Sequence, residues 1–117
     1  MGQTPPARDL VHMFTGKDLD GSTIGISYIG AVCEFADSAF GISQSKFNGT
    51  STTTVQRVAL TAHEIGHNFG ASHPDQESPV PPNCSPSIMN SFIQSTSNFC
   101  QFSLDQMSDH KIGRAHV

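Results

Sequence analysis

The sequence of 117 residues predicts one α/β domain of the α+β type, with short strands leading into a long central helix and a second helix near the end. Three observations carry this reading. Leu10–Phe14, Thr23–Ala31 and Gly41–Lys46 have strand-like composition, and Asp18-Leu19-Asp20-Gly21-Ser22 supplies turn residues between the first two. Val55, Val58, Ala59, Ala62, Ile65 and Phe69 recur at helical spacing and predict one apolar helix face. Ser103, with Gln106 three residues on, predicts a capping box opening a C-terminal helix.

The central helix has a start and a stop. The hydroxyl-rich run Thr50-Ser51-Thr52-Thr53-Thr54 is suited to an N-cap. Gly70 offers the positive-φ residue that can end a helix in a left-handed cap and turn the chain back.

Within that helix lies His63-Glu64-Ile65-Gly66-His67-Asn68-Phe69-Gly70-Ala71-Ser72-His73. Histidines four apart share one helix face about a turn from each other, so His63 and His67 can address one ion. The reversal at Gly70 brings in His73 as a third ligand. Three protein ligands leave a coordination position open, which marks a catalytic zinc rather than a closed structural one. Glu64 sits beside the metal rather than on it, where a carboxylate can act as general base on water that zinc has made acidic. The metal ligands expected are therefore His63, His67 and His73, the cofactor Zn2+, and the catalytic residue Glu64. Sixteen residues after His73, Ser87-Ile88-Met89-Asn90 supplies a methionine beside an isoleucine.

The extended histidine motif followed by this methionine resembles the metzincin zinc proteases, in which a methionine turn lies beneath the metal. Within them the chain is most similar to the reprolysin or adamalysin branch. The likeness rests on His63 to Ser72, on His12 to Cys33, and on Asn83-Cys84-Ser85 leading into the methionine turn, and it covers Leu10 to about Met107. Two stretches depart from the branch. Pro74 stands between His73 and Asp75, as in the serralysin branch, and Phe99-Cys100-Gln101-Phe102-Ser103 has an altered order. The tyrosine that follows the methionine turn in astacins and serralysins is absent, since Tyr28 is the only tyrosine.

The resemblance implies a metzincin catalytic domain with a mixed twisted sheet. Thr23–Tyr28 would be its antiparallel edge strand, over the active-site helix, where an extended peptide can add as a further strand. Residues 87–91 would shape the pocket for the residue after the cut. Metzincin domains ordinarily place two strands and a long helix before the segment matched by His12, so residues 1–110 are expected to be a partial catalytic domain. The activity implied is that of a zinc endopeptidase acting on protein or peptide substrates outside the cell. The alternatives are an inactive zinc-binding fragment of such a protease, or a protease of another metzincin branch.

Composition narrows the partners. A formal charge of −4 without a Lys/Arg cluster argues against nucleic acid, and no apolar run approaches the ~18 residues that span a bilayer. Met1 to Pro6 is too polar for a signal peptide. Of three cysteines, Cys84 and Cys100 flank the methionine turn and could pair; Cys33 would then be left over, and the resemblance implies a partner for it beyond this chain. Asn48-Gly49-Thr50 and Asn83-Cys84-Ser85 are glycosylation sequons. His12, His110 and His116 lack ligand spacing and read as structural or surface residues. Ile112 to Val117 matches one reading frame of a common sequencing adapter, so residues 111–117 are expected to be a non-native tail.

Overall fold

The computed structural model describes residues 10–19, 21, 23–32, 39–47 and 50–115. Asp20, Ser22, Cys33, Asn48, Gly49 and His116, all named above, lie outside the described residues, as do Met1 to Pro6. Strands β1 (Val11–Thr15), β2 (Gly25–Ser27) and β3 (Phe40–Gln44) form a sheet in the order β1-β3-β2. β3 runs parallel to β1 and antiparallel to β2, so the sheet is mixed and β2 is its antiparallel edge. A small hairpin pairs β4 (Lys46–Phe47) with β5 (Thr50–Ser51). Helices α1 (Thr54–Asn68) and α2 (Gln101–Ala115) complete the fold. This is the α+β arrangement expected of a metzincin domain fragment.

The strands are shorter or shifted relative to expectation, for local reasons. β2 stops at Ser27 because Gly30, at φ 69°, turns the chain away from β3. The following backbone docks on the end of α1 instead: the Gly30 and Val32 amides donate to the carbonyls of His67 and Asn68 at 2.7 and 3.0 Å. Between β1 and β2, Gly21 lies at φ 62°, the left-handed conformation a turn residue adopts.

Helix α1 begins in a capping box. The Thr53 hydroxyl accepts from the Gln56 amide at 3.2 Å, and the Gln56 side chain accepts from the Thr53 amide at 2.9 Å. It ends in a Schellman motif. The Ala71 amide donates to Gly66 and the Gly70 amide to His67, with Gly70 at φ 97°. The left-handed residue was legible, and it does what the third imidazole requires.

The periodic apolar face of α1 is only partly inward. Val55 and Val58 are exposed, and Val58 lines an open apolar groove of about 640 Å³ with Phe14 and Ile65. The side that packs on the sheet buries Ala59, Leu60, Glu64, His67 and Asn68. Polar residues are therefore inside, and each has a use. Asn68 is fully buried and donates to the Tyr28 and Phe40 carbonyls at 2.9 and 3.2 Å, tying α1 to the ends of β2 and β3.

A second cluster of Ala71, Ile88 and Met89, flanked by Ala62, Phe99 and Met107, fills the space below α1. The cysteines left open above are joined here, Cys84 to Cys100 with Cα atoms 5.0 Å apart. α2 starts at Gln101, two residues before the expected capping box. Ser103 is fully buried within its first turn, and Gln106 does not cap but reaches Ser72. Its oxygen accepts from the Ser72 backbone amide, 34 residues away, rather than from the start of its own helix. His12 bonds Ser43 across β1 and β3 at 2.6 Å, and His110 bonds the Val32 carbonyl at 2.7 Å, so both are structural. No described helix is long and apolar enough to cross a membrane.

Gly66 has no room for a side chain: a Cβ there would lie 2.5 Å from Met89 Sδ and 3.4 Å from Phe99 Cε1. Met89 is fully buried, so its side chain has to repack to make room. Gly66→Ala gains about 1 kcal/mol of helix propensity but overpacks this contact, for an expected net loss of about 1–2 kcal/mol. Chemical denaturation checks it; an unchanged or raised midpoint would show the contact to be slack.

Candidate metal centre

α1 and the reversal after it place three imidazoles around one point. The Nε2 atoms of His63, His67 and His73 are 3.1, 3.0 and 3.2 Å apart pairwise. Tetrahedral zinc with bonds of 2.0–2.1 Å holds its ligand nitrogens about 3.3–3.4 Å apart, so the pocket between them has the size of that ion. Among the described residues these three form the one cluster with metal-ligand geometry.

The outer nitrogens decide the chemistry. His63 Nδ1 faces the Ile88 carbonyl at 2.7 Å, His67 Nδ1 the Ala71 carbonyl at 2.7 Å, and His73 Nδ1 the Gln76 side-chain oxygen at 3.0 Å. Each Nδ1 therefore carries the proton and donates it. Each Nε2 is left with a lone pair, and three lone pairs converge on one point. Such a set repels itself until a cation lies between, and it matches the outward hydrogen bonding of metal-bound histidines. The donor set fits zinc.

Burial lowers the pKa of His63 and His67 below the ordinary 6.5, and the neighbouring imidazoles push the same way. Their carbonyl partners favour the charged form, but less. The rings are thus neutral, as ligands must be.

Glu64 stands beside this cluster, 5% exposed. Its carboxylate is received by two residues of β2. The Ser27 hydroxyl donates to Oε1 at 2.7 Å, and Gly25 presents no side chain, so that a Cβ there would lie 2.5 Å from Oε2. Burial raises the pKa of Glu64 above its ordinary 4.5, partly offset by the Ser27 hydrogen bond and by His67 and His73. A buried carboxylate with a raised pKa is suited to taking and returning a proton.

The methionine turn supports the site from below. Met89 is fully buried against Gly66, between the first two histidines, and the preceding Ile88 carbonyl is the acceptor for His63. The turn is itself held: the Ile88 amide donates to Asn98, and Asn90 donates to the Cys84 carbonyl at 2.7 Å. Past His73 a 3-10 turn, Pro74–Gln76, sets Gln76 under His73 and projects Asp75 across to Ser91. Ser91 donates to both Asp75 oxygens, through its amide at 2.8 Å and through its hydroxyl. Burial works against the Asp75 carboxylate, but these bonds outweigh it and hold its pKa below the ordinary value.

The cluster opens into a cleft of about 470 Å³. One wall is residues 23–27, the other Asn90 to Ile93, and His63, Glu64, His67 and His73 lie between them. The structure thus brings together all four residues expected from sequence. Gly25, Ser27, Asp75 and Gln76 were not expected. Alternation along β2 puts Gly25 and Ser27 on one face, but nothing in the sequence says which face meets Glu64.

Two outcomes follow. Gly25→Ala should push the Glu64 carboxylate aside while leaving the fold and zinc affinity intact, since the obstructed group is a side-chain end; the Glu64 carboxylate stretch in the infrared should shift, and an unshifted band would show that the close approach is unimportant. Because burial holds the pKa of His63 and His67 below the ordinary imidazole value, zinc affinity should be lost at lower pH than for a cluster of solvent-exposed imidazoles. Competition with a chromophoric chelator across pH reads this directly, and a loss of affinity beginning above pH 7 would contradict it.

Comparison with known proteins agrees with this geometry. The sequence profile of metallo-peptidase family M12, reprolysin type, matches residues 4–103. The zinc metalloproteinase-disintegrin-like brevilysin H2a of Gloydius brevicauda is 38% identical over 86 residues, covering 71% of this chain and 18% of that protein. The zinc metalloproteinase-disintegrin-like atrase-A of Naja atra is 31% identical over 113 residues, covering 92% of this chain and 16% of that protein. The chain therefore spans less than a fifth of the length of these relatives. With the profile matched over most of its length and the histidine cluster assembled, the chain belongs to the reprolysin-type metallo-peptidases of family M12.

Proposed function

We propose that this chain carries the catalytic centre of a zinc endopeptidase that cuts extended protein or peptide substrates outside the cell. The observation that supports this best is the convergence of three Nε2 lone pairs beside a buried carboxylate, at the bottom of an open cleft. His63, His67 and His73 hold the metal, and Met89 packs beneath it. When bound there, zinc polarises the scissile carbonyl and makes water acidic enough to lose a proton near neutral pH.

The protein's own residues do the rest. Glu64 takes the proton from the attacking water and hands it to the departing amine. Among the described residues β2 pairs only with β3, so its other edge offers backbone groups with which a substrate can pair. That pairing would lay the scissile bond along the cleft, over the imidazoles. Phe92 and Ile93 give the opposite wall an apolar lining for a substrate side chain. The Cys84–Cys100 disulfide suits an oxidising, extracellular setting.

Glu64→Ala should abolish peptide hydrolysis and leave one equivalent of zinc bound, because Glu64 is not a ligand. Removing zinc with a chelator should stop the wild-type reaction, and adding zinc should restore it. Turnover retained by Glu64→Ala, or indifferent to the chelator, would defeat the proposal in favour of a chain that binds metal without this chemistry.

A further inference from the structure

We infer that Ser27 is a positioning residue for the general base: its hydroxyl fixes Glu64 Oε1 and leaves Oε2 as the atom that exchanges the proton. The inference rests on the endopeptidase reading above and goes beyond it, since no ligand of the metal is involved.

The geometry begins with the strand. Side chains alternate along β2, so Gly25 and Ser27 share the face turned toward α1, while Ile26 between them is exposed. β2 is fixed by antiparallel pairing to β3, with Gly25 opposite Ser43 and Ser27 opposite Gly41. Its position relative to α1 is set in turn by Asn68, which grips the Tyr28 carbonyl next to Ser27. The Ser27 hydroxyl thus comes from a backbone held on both sides.

Glu64 has a flexible side chain, and a carboxylate buried beside three imidazoles has several ways to turn. The donor at 2.7 Å selects one of them. Gly25 supplies the complementary constraint, because only an absent side chain lets Oε2 lie so close to the strand. Among the described residues Oε2 has no hydrogen-bond donor, whereas Oε1 has one. The two oxygens are therefore not equivalent: one is committed to the protein and the other remains for the substrate's water. A hydroxyl is well chosen for this, since it donates to the carboxylate without bringing a charge that would compete with the metal.

The test uses the 117-residue chain with Ser27→Ala, Ser27→Thr and Glu64→Gln. Ser27 is half-buried, so alanine leaves no large cavity, and zinc stoichiometry serves as the control for folding. Ser27→Ala should lower kcat about ten- to thirty-fold with KM within about two-fold, the size expected from losing one hydrogen bond to a charged group. Ser27→Thr keeps the hydroxyl and should recover most of the rate. In the Glu64→Gln background, Ser27→Ala should add no further loss.

A second readout does not depend on turnover. The chain has three glutamates, Glu34, Glu64 and Glu77, and 13C-labelling them isolates their carboxylate stretches in the infrared. The difference from Glu64→Gln identifies the Glu64 band. Ser27→Ala should shift that band in the metal-free chain at pH 8, and Ser27→Thr should not. An unshifted band together with an unchanged kcat overturns the inference. If the unmodified chain fails to hydrolyse peptides at all, the endopeptidase reading falls, and the infrared band alone then decides whether Ser27 holds Glu64.

Discussion

Three imidazoles cannot be brought within about 3 Å of one another unless something holds each ring by its far side. That restraint organises the structure. The far nitrogens are bound by the Ile88 carbonyl, the Ala71 carbonyl and the Gln76 side chain, which come from the methionine turn, the helix reversal and the short 3-10 turn. Each of these segments must be in place before the near nitrogens can converge. The metal site is thus a statement about how three loops are fixed, rather than a property of one helix.

The fixings form a chain of dependence. The Schellman reversal delivers both the Ala71 carbonyl and the turn toward His73. The methionine turn delivers the Ile88 carbonyl and is itself held by Asn90, Asn98 and the disulfide between Cys84 and Cys100. Burial has an electrostatic consequence as well. The same packing that keeps His63 and His67 neutral makes the Glu64 carboxylate reluctant to ionise, and the Ser27 hydroxyl offsets part of that. The imidazole and carboxyl pKa values are moved in opposite directions by one shared environment.

What the sequence made legible was whatever depends on local spacing. The histidine cluster, the glutamate beside it, the positive-φ glycine and the methionine turn could all be read from one short stretch and its sequel, because helical periodicity and turn chemistry are local. Contacts across the fold were not legible. Val55 and Val58 share the periodicity of the buried positions, yet they are exposed, because periodicity marks an apolar face without saying what covers it. Ser103 and Gln106 have capping-box spacing, but Gln106 instead satisfies the amide of Ser72, a partner no local rule points to. Gly25 and Ser27 were placed on the right strand, and only the packing of β2 against α1 shows that they receive Glu64.

The link between Gln106 and Ser72 has a wider meaning. Gln106 both accepts from the Ser72 amide and donates to its hydroxyl, at 3.0 Å each, so α2 grips the residue immediately before His73. The position of His73 is in this sense a long-range property of the polypeptide, dependent on a helix that begins 28 residues downstream at Gln101. A substitution in α2 can therefore displace one imidazole of the cluster from a distance, through residues that carry no motif by which they would be recognised.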